Sequence, residues 1–162
     1  MQQKELSICL KVLDAIITLG CLWFILYYLP HGGFRLMAGT LNIAPLDAWP
    51  VPTMVLAFIA AVPVAAIGIN CWLIFTDIGN DKSFSVVNAR RLRTVSIVAL
   101  VEAVVFIVIA AVCSFVQVLV PGMFIVFFIC VIVSFTLCII GAALSHLTLK
   151  AAVIQDENDL TV

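Results

Sequence analysis

Residues 94–149 read TVSIVALVEAVVFIVIAAVCSFVQVLVPGMFIVFFICVIVSFTLCIIGAALSHLTL, which is two long apolar runs joined at Pro121-Gly122. Each run exceeds the roughly 20 apolar residues that a helix needs to cross a bilayer core about 30 Å thick. Proline and glycine break helices and leave almost no connecting segment here. The stretch therefore predicts two membrane-spanning helices folded into an antiparallel hairpin.

The rest of the chain has the same apolar character. Further apolar runs at about 12–29 and 52–75 precede those at 94–120 and 123–149, so four spans are predicted. Of the 162 residues, 65% are hydrophobic and 10% are charged, whereas a soluble domain is about half apolar and a quarter charged. We therefore predict an all-α fold in which residues 1–162 form one domain, an integral membrane four-helix bundle.

The distribution of basic residues predicts the orientation of the bundle. Lysine and arginine concentrate in the cytoplasmic loops of membrane proteins. Of the 8 basic residues, only Arg35 lies between spans one and two, and the others flank the opposite ends of the spans. The sequence thus predicts a multi-pass protein of the bacterial cell membrane with both termini inside, a cytoplasmic loop at 76–93 and a cytoplasmic tail at 150–162.

Motifs of catalytic, metal or cofactor sites are missing from the sequence. The 6 cysteines form neither a Cys-x-x-Cys pair nor a zinc spacing, and no phosphate loop, dinucleotide fingerprint or His-Glu-x-x-His run occurs. Ser145 and His146 are adjacent, so on a helix they would point about 100° apart, which suits no nucleophile and base. We expect no catalytic residue, no metal, no cofactor and no enzymatic activity. The net charge of -1 argues against direct nucleic-acid binding.

The connection between spans two and three carries a basic segment. Ser85 is a good N-cap and predicts that a helix starts near Val86. That helix would hold Arg90, Arg91 and Arg93 at the membrane surface, where they suit anionic lipid headgroups. Two interpretations stay open, a positively charged anchor on the cytoplasmic side and a docking surface for a cytoplasmic partner.

Two segments of the chain resemble one family. Residues 84–93 are similar to the Pro-Phe-Thr-x-x-Asn-x-x-Arg-Leu signature that precedes the third helix of a bacterial membrane family, domain of unknown function 2975. Ser83 stands where that family usually has proline. Residues 157–162 match the ending of the family, and the four-helix layout agrees, so the resemblance covers essentially the whole chain.

The resemblance implies a membrane protein with no established enzymatic activity. Genes of the family often lie beside a small helix-turn-helix regulator, which implies a membrane partner for such a regulator. The positions carried over from the two family segments are Phe84, Asn88, Arg91, Leu92, Glu157, Asn158, Asp159, Leu160, Thr161 and Val162.

Four polar residues, one in each predicted span, fall at similar predicted depths in the inner leaflet: Asp14, Asn70, Glu102 and His146. A closed bundle would bring them together as a polar layer. Such a layer can be structural, because buried polar groups on neighbouring helices pair and fix the register. It can also form a cytoplasm-facing site for a cation or a proton, with Glu102 as the charge and His146 as a titratable neighbour.

The favoured function is a non-enzymatic membrane partner or regulator of a cytoplasmic protein, contacting it through the arginine segment and the acidic tail. The alternative is a small transporter or channel subunit that uses the polar layer. Membrane lipids are expected neighbours in both cases. A stripe of small residues in span two allows either internal packing or a homo-oligomer interface: Ala57, Ala61, Ala65 and Gly68.

Overall fold

The computed structural model describes residues 3–27, 50–80, 83–115 and 121–159. These residues form four helices: α1 (Gln3–Trp23), α2 (Pro50–Gly79), α3 (Val86–Phe115) and α4 (Pro121–Asp159). Each helix contains a stretch long and apolar enough to cross a membrane. The all-α class is therefore confirmed, as is the prediction of four helices apolar enough to span a membrane. The predicted loop between spans one and two lies almost entirely outside the described residues, as do Leu160, Thr161 and Val162.

The helices are longer than the apolar runs that predicted them. Helix α1 begins at Gln3 instead of Val12, and a π-helical turn continues it through residue 27. Helix α4 continues to Asp159 instead of ending near Leu149, so most of the predicted tail is helical. Hydropathy marks only the part of a helix that lipid surrounds, whereas lysine, glutamine and glutamate also favour helix beyond that part.

The first residues of α3 and of α4 are set by local sequence signals. Helix α3 starts at Val86 as predicted, because the Ser85 hydroxyl accepts a hydrogen bond from the backbone N–H of Asn88 at 3.2 Å. Helix α4 starts at Pro121, where a missing N–H costs nothing. Pro121-Gly122 therefore belongs to the helix, and residues 116–120 lie outside the described residues.

Hydrogen bonds from serine hydroxyls to carbonyls of the facing helix fix the register of α3 against α4. The Ser145 hydroxyl donates to the Ala89 carbonyl at 2.7 Å, and the Ser96 hydroxyl donates to the Cys138 carbonyl at 2.8 Å. As the α3 residue number rises, that of its α4 partner falls by the same amount. The two helices are therefore antiparallel, as the sequence predicted.

Small side chains let the two backbones approach closely along this seam. Ala89, Ser96, Ala99 and Ala103 are buried on α3. On α4, a Cβ added at Gly141 would lie 3.2 Å from the Ser96 Cβ and 3.3 Å from the Leu92 carbonyl oxygen. Helix α4 thus packs at Gly141 directly on the backbone of α3, which is how helices associate in lipid.

The same device joins α1 to α2. A Cβ added at Gly68 would lie 2.5 Å from the Thr18 hydroxyl oxygen, and the Ser7 hydroxyl donates to the Phe75 carbonyl. In the predicted stripe of small residues on α2, Ala57 and Ala61 are also buried. Internal packing thus accounts for these members of the stripe, and a homo-oligomer interface stays a prediction.

The apolar core lies at one end of the bundle. Ile25 near the end of α1, Ala57 near the start of α2, Cys113 near the end of α3 and Phe127 near the start of α4 belong to one buried cluster. The Phe127 ring lies 6.3 Å from that of Phe106. This end is opposite the α2–α3 connection. The hydrogen bonds and the ion pair between helices lie toward the other end.

Replacing Gly141 with leucine should destabilise the protein, because the new side chain must push away the α3 backbone at Leu92 and Ser96. Overpacking typically costs about 1–3 kcal/mol, and we expect a loss of that size in the free energy of unfolding, measured by denaturant titration in detergent micelles. Gly20→Leu is the matched control, since an added Cβ there meets no described neighbouring atom within 4 Å. Equal losses in both variants would contradict the close approach.

Candidate functional site: the α2–α3 junction and the buried carboxyl of α3

An arginine joins the end of α2 to the start of α3. Nη1 of Arg91 lies 2.5 Å from Oδ2 of Asp77, which sits in the last turn of α2. The same nitrogen donates to the Leu73 carbonyl at 3.3 Å and to Oδ1 of Asn88 at 3.2 Å. The Arg91 and Asp77 side chains are each 25% exposed. We call these contacts among Asp77, Asn88, Arg91 and the Leu73 carbonyl the Arg91 clamp.

Asn88 ties the connecting segment to this clamp. Its residue is 1% exposed, and its side chain is the largest among the fully buried described residues. Its amide nitrogen Nδ2 donates to the Ser83 carbonyl at 3.4 Å, while its Oδ1 accepts from Arg91. An amide side chain can donate from its nitrogen and accept at its oxygen at the same time. Two family positions, Asn88 and Arg91, thus hold the junction between α2 and α3.

The structure divides the residues that the sequence proposed for partner or lipid contact. Arg90, Arg93 and Phe84 are exposed, with Phe84 at 60%. Arg91 is half-buried in the clamp, so its charge is engaged inside the protein. Leu92 is half-buried on α3. Helix α4 carries the exposed Glu157, and it reaches Asn158 and Asp159, whose side chains the structure does not describe.

Glu102 is the one charged side chain in the buried set of the described residues. It is 6% exposed, and its side chain forms a hydrogen bond with Ser134 of α4. The residue lies near the middle of α3, far from either end of the helix. A carboxyl group at that depth is costly unless it is paired, so the contact with Ser134 is what makes this position tolerable.

The other three members of the predicted polar layer have different surroundings. Asp14 is half-buried on α1 and lies close to Cys71 of α2. The Lys11 ammonium lies 5.6 Å from the ring centroid of Trp72, a cation–π contact. The Asn70 amide donates to the Ala66 carbonyl of its own helix at 2.8 Å, so this contact links no second helix.

His146 is exposed and does not lie beside Glu102. Glu102 is bonded to Ser134, whereas Ser145 is bonded to Ala89 near the start of α3. Ser134 and His146 are about 18 Å apart along α4 at 1.5 Å per residue. The predicted layer is therefore not assembled between these two residues. The sequence predicts the depth of His146 with Lys150 at the inner end of the span, but α4 continues well past Lys150.

The sequence does not identify which residues pair across the α3–α4 seam. Ser134, Ser96 and Ser145 all bond across the α3–α4 seam. A signal for them exists in the sequence, because Ser134, Gly141 and Ser145 are small and lie seven and four residues apart, on one helical face of an apolar run. The sequence contains no comparable signal for Asp77. It lies 14 residues before Arg91, and no helical spacing links the two residues.

The described residues contain no cluster of side chains that could bind a metal ion. Within 3–27, 50–80, 83–115 and 121–159, no three or more His, Cys, Asp and Glu side chains are grouped so that they could hold an ion. The described polar groups near the membrane interior instead pair with one another, as the serine contacts and Glu102 show.

Four membrane-length helices, a small-residue hairpin and a clamped α2–α3 junction define a small polytopic membrane protein of the four-helix bundle class. The chain belongs to the protein family of unknown function DUF2975, whose model matches residues 35–162. The match covers α2, α3 and α4 and confirms the predicted resemblance, while α1 precedes it. No curated protein and no solved structure matches the chain.

Replacing Arg91 with glutamine should lower the free energy of unfolding by about 1–2 kcal/mol, because the half-buried Asp77 and the Leu73 carbonyl lose their donor. Arg90→Gln is the matched control, since it removes the same charge from an exposed neighbour and should change stability by less than about 0.5 kcal/mol. Both values can be measured by denaturant titration in the same micelles. Identical values for the two variants would mean that the clamp contributes nothing beyond its charge.

A double-mutant cycle with Glu102→Leu and Ser134→Ala should give a coupling of about 0.6 kcal/mol, and at most about 1.7 kcal/mol, as for other interhelical hydrogen bonds in membranes. The control cycle pairs Glu102→Leu with His146→Ala and should give no coupling, because the two residues lie far apart along the bundle. A coupling found only in the control cycle would contradict the Glu102–Ser134 contact and support the predicted polar layer.

Proposed function

We propose that this protein is a non-enzymatic membrane partner that binds a cytoplasmic protein through the projecting end of α4. The observation that carries the proposal is the register of the α3–α4 hairpin. Because Ser145 lies opposite Ala89, Val86 at the start of α3 lies opposite a residue near Thr148. Helix α4 continues from there to Asp159, about 16 Å further at 1.5 Å per residue.

The projecting segment has the features of a docking arm. Its first turn packs on the bundle, because Ala152 is buried. The next residues, Val153, Ile154 and Gln155, are exposed, and acidic residues 156, 157 and 159 follow them. A preformed helix binds a partner without the entropic cost of ordering a coil. An exposed apolar pair followed by carboxylates suits an apolar groove with a basic rim.

The remaining polar groups favour a binding role over chemistry. Arg91 is engaged in the clamp, Glu102 in its bond to Ser134, and the serines of the seam in bonds to carbonyls. Groups held by structural contacts are poorly placed to act on a substrate. The proposed partner is a small helix-turn-helix regulator, which the family resemblance implies, and the proposed topology puts the end of α4 in the cytoplasm.

The test uses the full-length protein in native membranes with a photo-reactive amino acid at position 154. Ile154 is exposed on the projecting arm, so light should attach a soluble protein of defined mass to it. The matched control carries the same group in place of Ile139, which is exposed on the same helix but lies within the apolar run 123–149. Only lipid adducts are expected there.

Truncation after Ala152 completes the experiment. We expect the truncated protein to insert into the membrane and to have the same free energy of unfolding as the full chain, because the contacts within the bundle are kept. It should no longer co-purify with the soluble partner, because the arm is removed. Retention of the same partner by the truncated protein would contradict the proposed contact surface. Lipid adducts alone at position 154 would contradict it as well, because the arm would then lie in the membrane.

A further inference from the structure

Four basic side chains are exposed at the clamp end of the α3–α4 hairpin: Arg90, Arg93, His146 and Lys150. The register places them within about 14 Å of one another along the bundle axis, at 1.5 Å per residue. We call them the α3–α4 basic surface. Arg90 and Arg93 belong to α3 and His146 and Lys150 belong to α4, so only the packing of the two helices brings the four residues to the same end of the hairpin.

The geometry of an antiparallel pair also places them on one side. On two antiparallel helices that face each other, the residue that follows a contact residue turns toward the same outer side on both, about 100° around each axis. Arg90 follows the contact residue Ala89, and His146 follows its partner Ser145. Arg93 lies one turn beyond Arg90 on α3, and Lys150 lies one turn beyond His146 on α4.

Arg90 and Arg93 do not point toward α2, because they lie about 100° and 200° around α3 from Arg91. Arg91 points toward α2, because it bonds to Asp77 and to the Leu73 carbonyl. Arg93 is two residues further on and therefore projects about 200° around α3 from Arg91. The Arg91 clamp and the α3–α4 basic surface are thus separate features, although they share one short sequence segment.

An apolar groove runs from the basic surface toward the middle of the span. Ile97 follows the seam residue Ser96, and Ile139 follows its partner Cys138, so both lie on the same outer side. Their exposed fractions are 53% and 68%. Such a groove suits an acyl chain lying against the helices.

We propose that the α3–α4 basic surface binds the phosphate of an anionic phospholipid, whose acyl chains lie along the groove beside Ile97 and Ile139. Arginine presents two parallel N–H donors to a phosphate, and lysine adds a compact positive charge. Basic pockets between membrane helices at the headgroup level bind anionic lipids in this way. This binding is independent of the docking arm and goes beyond the proposed function.

The test measures lipid binding to the purified full-length protein in neutral detergent by native mass spectrometry. Phosphatidylglycerol and phosphatidylcholine with the same acyl chains are titrated separately. We expect the wild-type protein to prefer phosphatidylglycerol by on the order of tenfold or more, because each basic residue near the surface contributes to anionic-lipid affinity. The Arg90→Gln/Arg93→Gln variant should lose most of that preference.

The matched control is Lys4→Gln/Lys11→Gln on α1, which removes the same charge from another helix at the same end of the bundle. It should keep the preference for phosphatidylglycerol. Equal losses in the two double variants would overturn the proposal and leave a general positive anchor. Displacement of the lipid by an equal concentration of inorganic phosphate would also overturn it, since the acyl chains would then contribute nothing. A denaturant titration of each variant verifies folding, and Arg93→Gln alone replaces the double variant if that one unfolds.

Discussion

The close approach of α3 and α4 is the contact on which the rest of the structure depends. Lipid tails are as apolar as leucine side chains, so burial alone does not hold two helices together in a bilayer. The glycine at 141 and the alanines of α3 let the backbones touch, and the hydroxyls of Ser96 and Ser145 reach carbonyls across the seam. This contact sets the register, and the register decides what every other polar residue meets.

The two ends of the bundle are held by different interactions. At one end, residues from all four helices form an apolar cluster around Phe106 and Phe127. At the other end, the Arg91 clamp joins α2 to α3, and the Ser7 hydroxyl joins α1 to α2 through the Phe75 carbonyl. Hydrogen bonds are directional, so they fix the rotation and register of one helix against another more tightly than apolar contacts do. The polar end therefore specifies how the helices are arranged, and the apolar end adds packing.

Three basic residues close together in sequence have different surroundings. Arg91 is turned into the protein and holds the α2–α3 junction, whereas Arg90 and Arg93 face outward beside His146 and Lys150. This separation supports a division of roles, with the clamp maintaining the fold, the outward residues meeting lipid phosphate, and the end of α4 reaching a soluble partner. The membrane anchor and the docking surface, which the sequence left as alternatives for one segment, are then served by different residues.

The sequence by itself determined the number and class of the helices, the start of α3 at its Ser85 cap, and the family, because hydropathy, capping and motif spacing are local properties. It predicted less well where polar residues meet. Glu102 and His146 looked level when counted from the ends of the spans, yet Glu102 pairs with Ser134, because α4 runs on past Lys150. The sequence also does not indicate that Asp77 is the partner of Arg91. Only the tertiary structure decided these contacts, since rotation and register between helices depend on side chains that meet from distant parts of the chain.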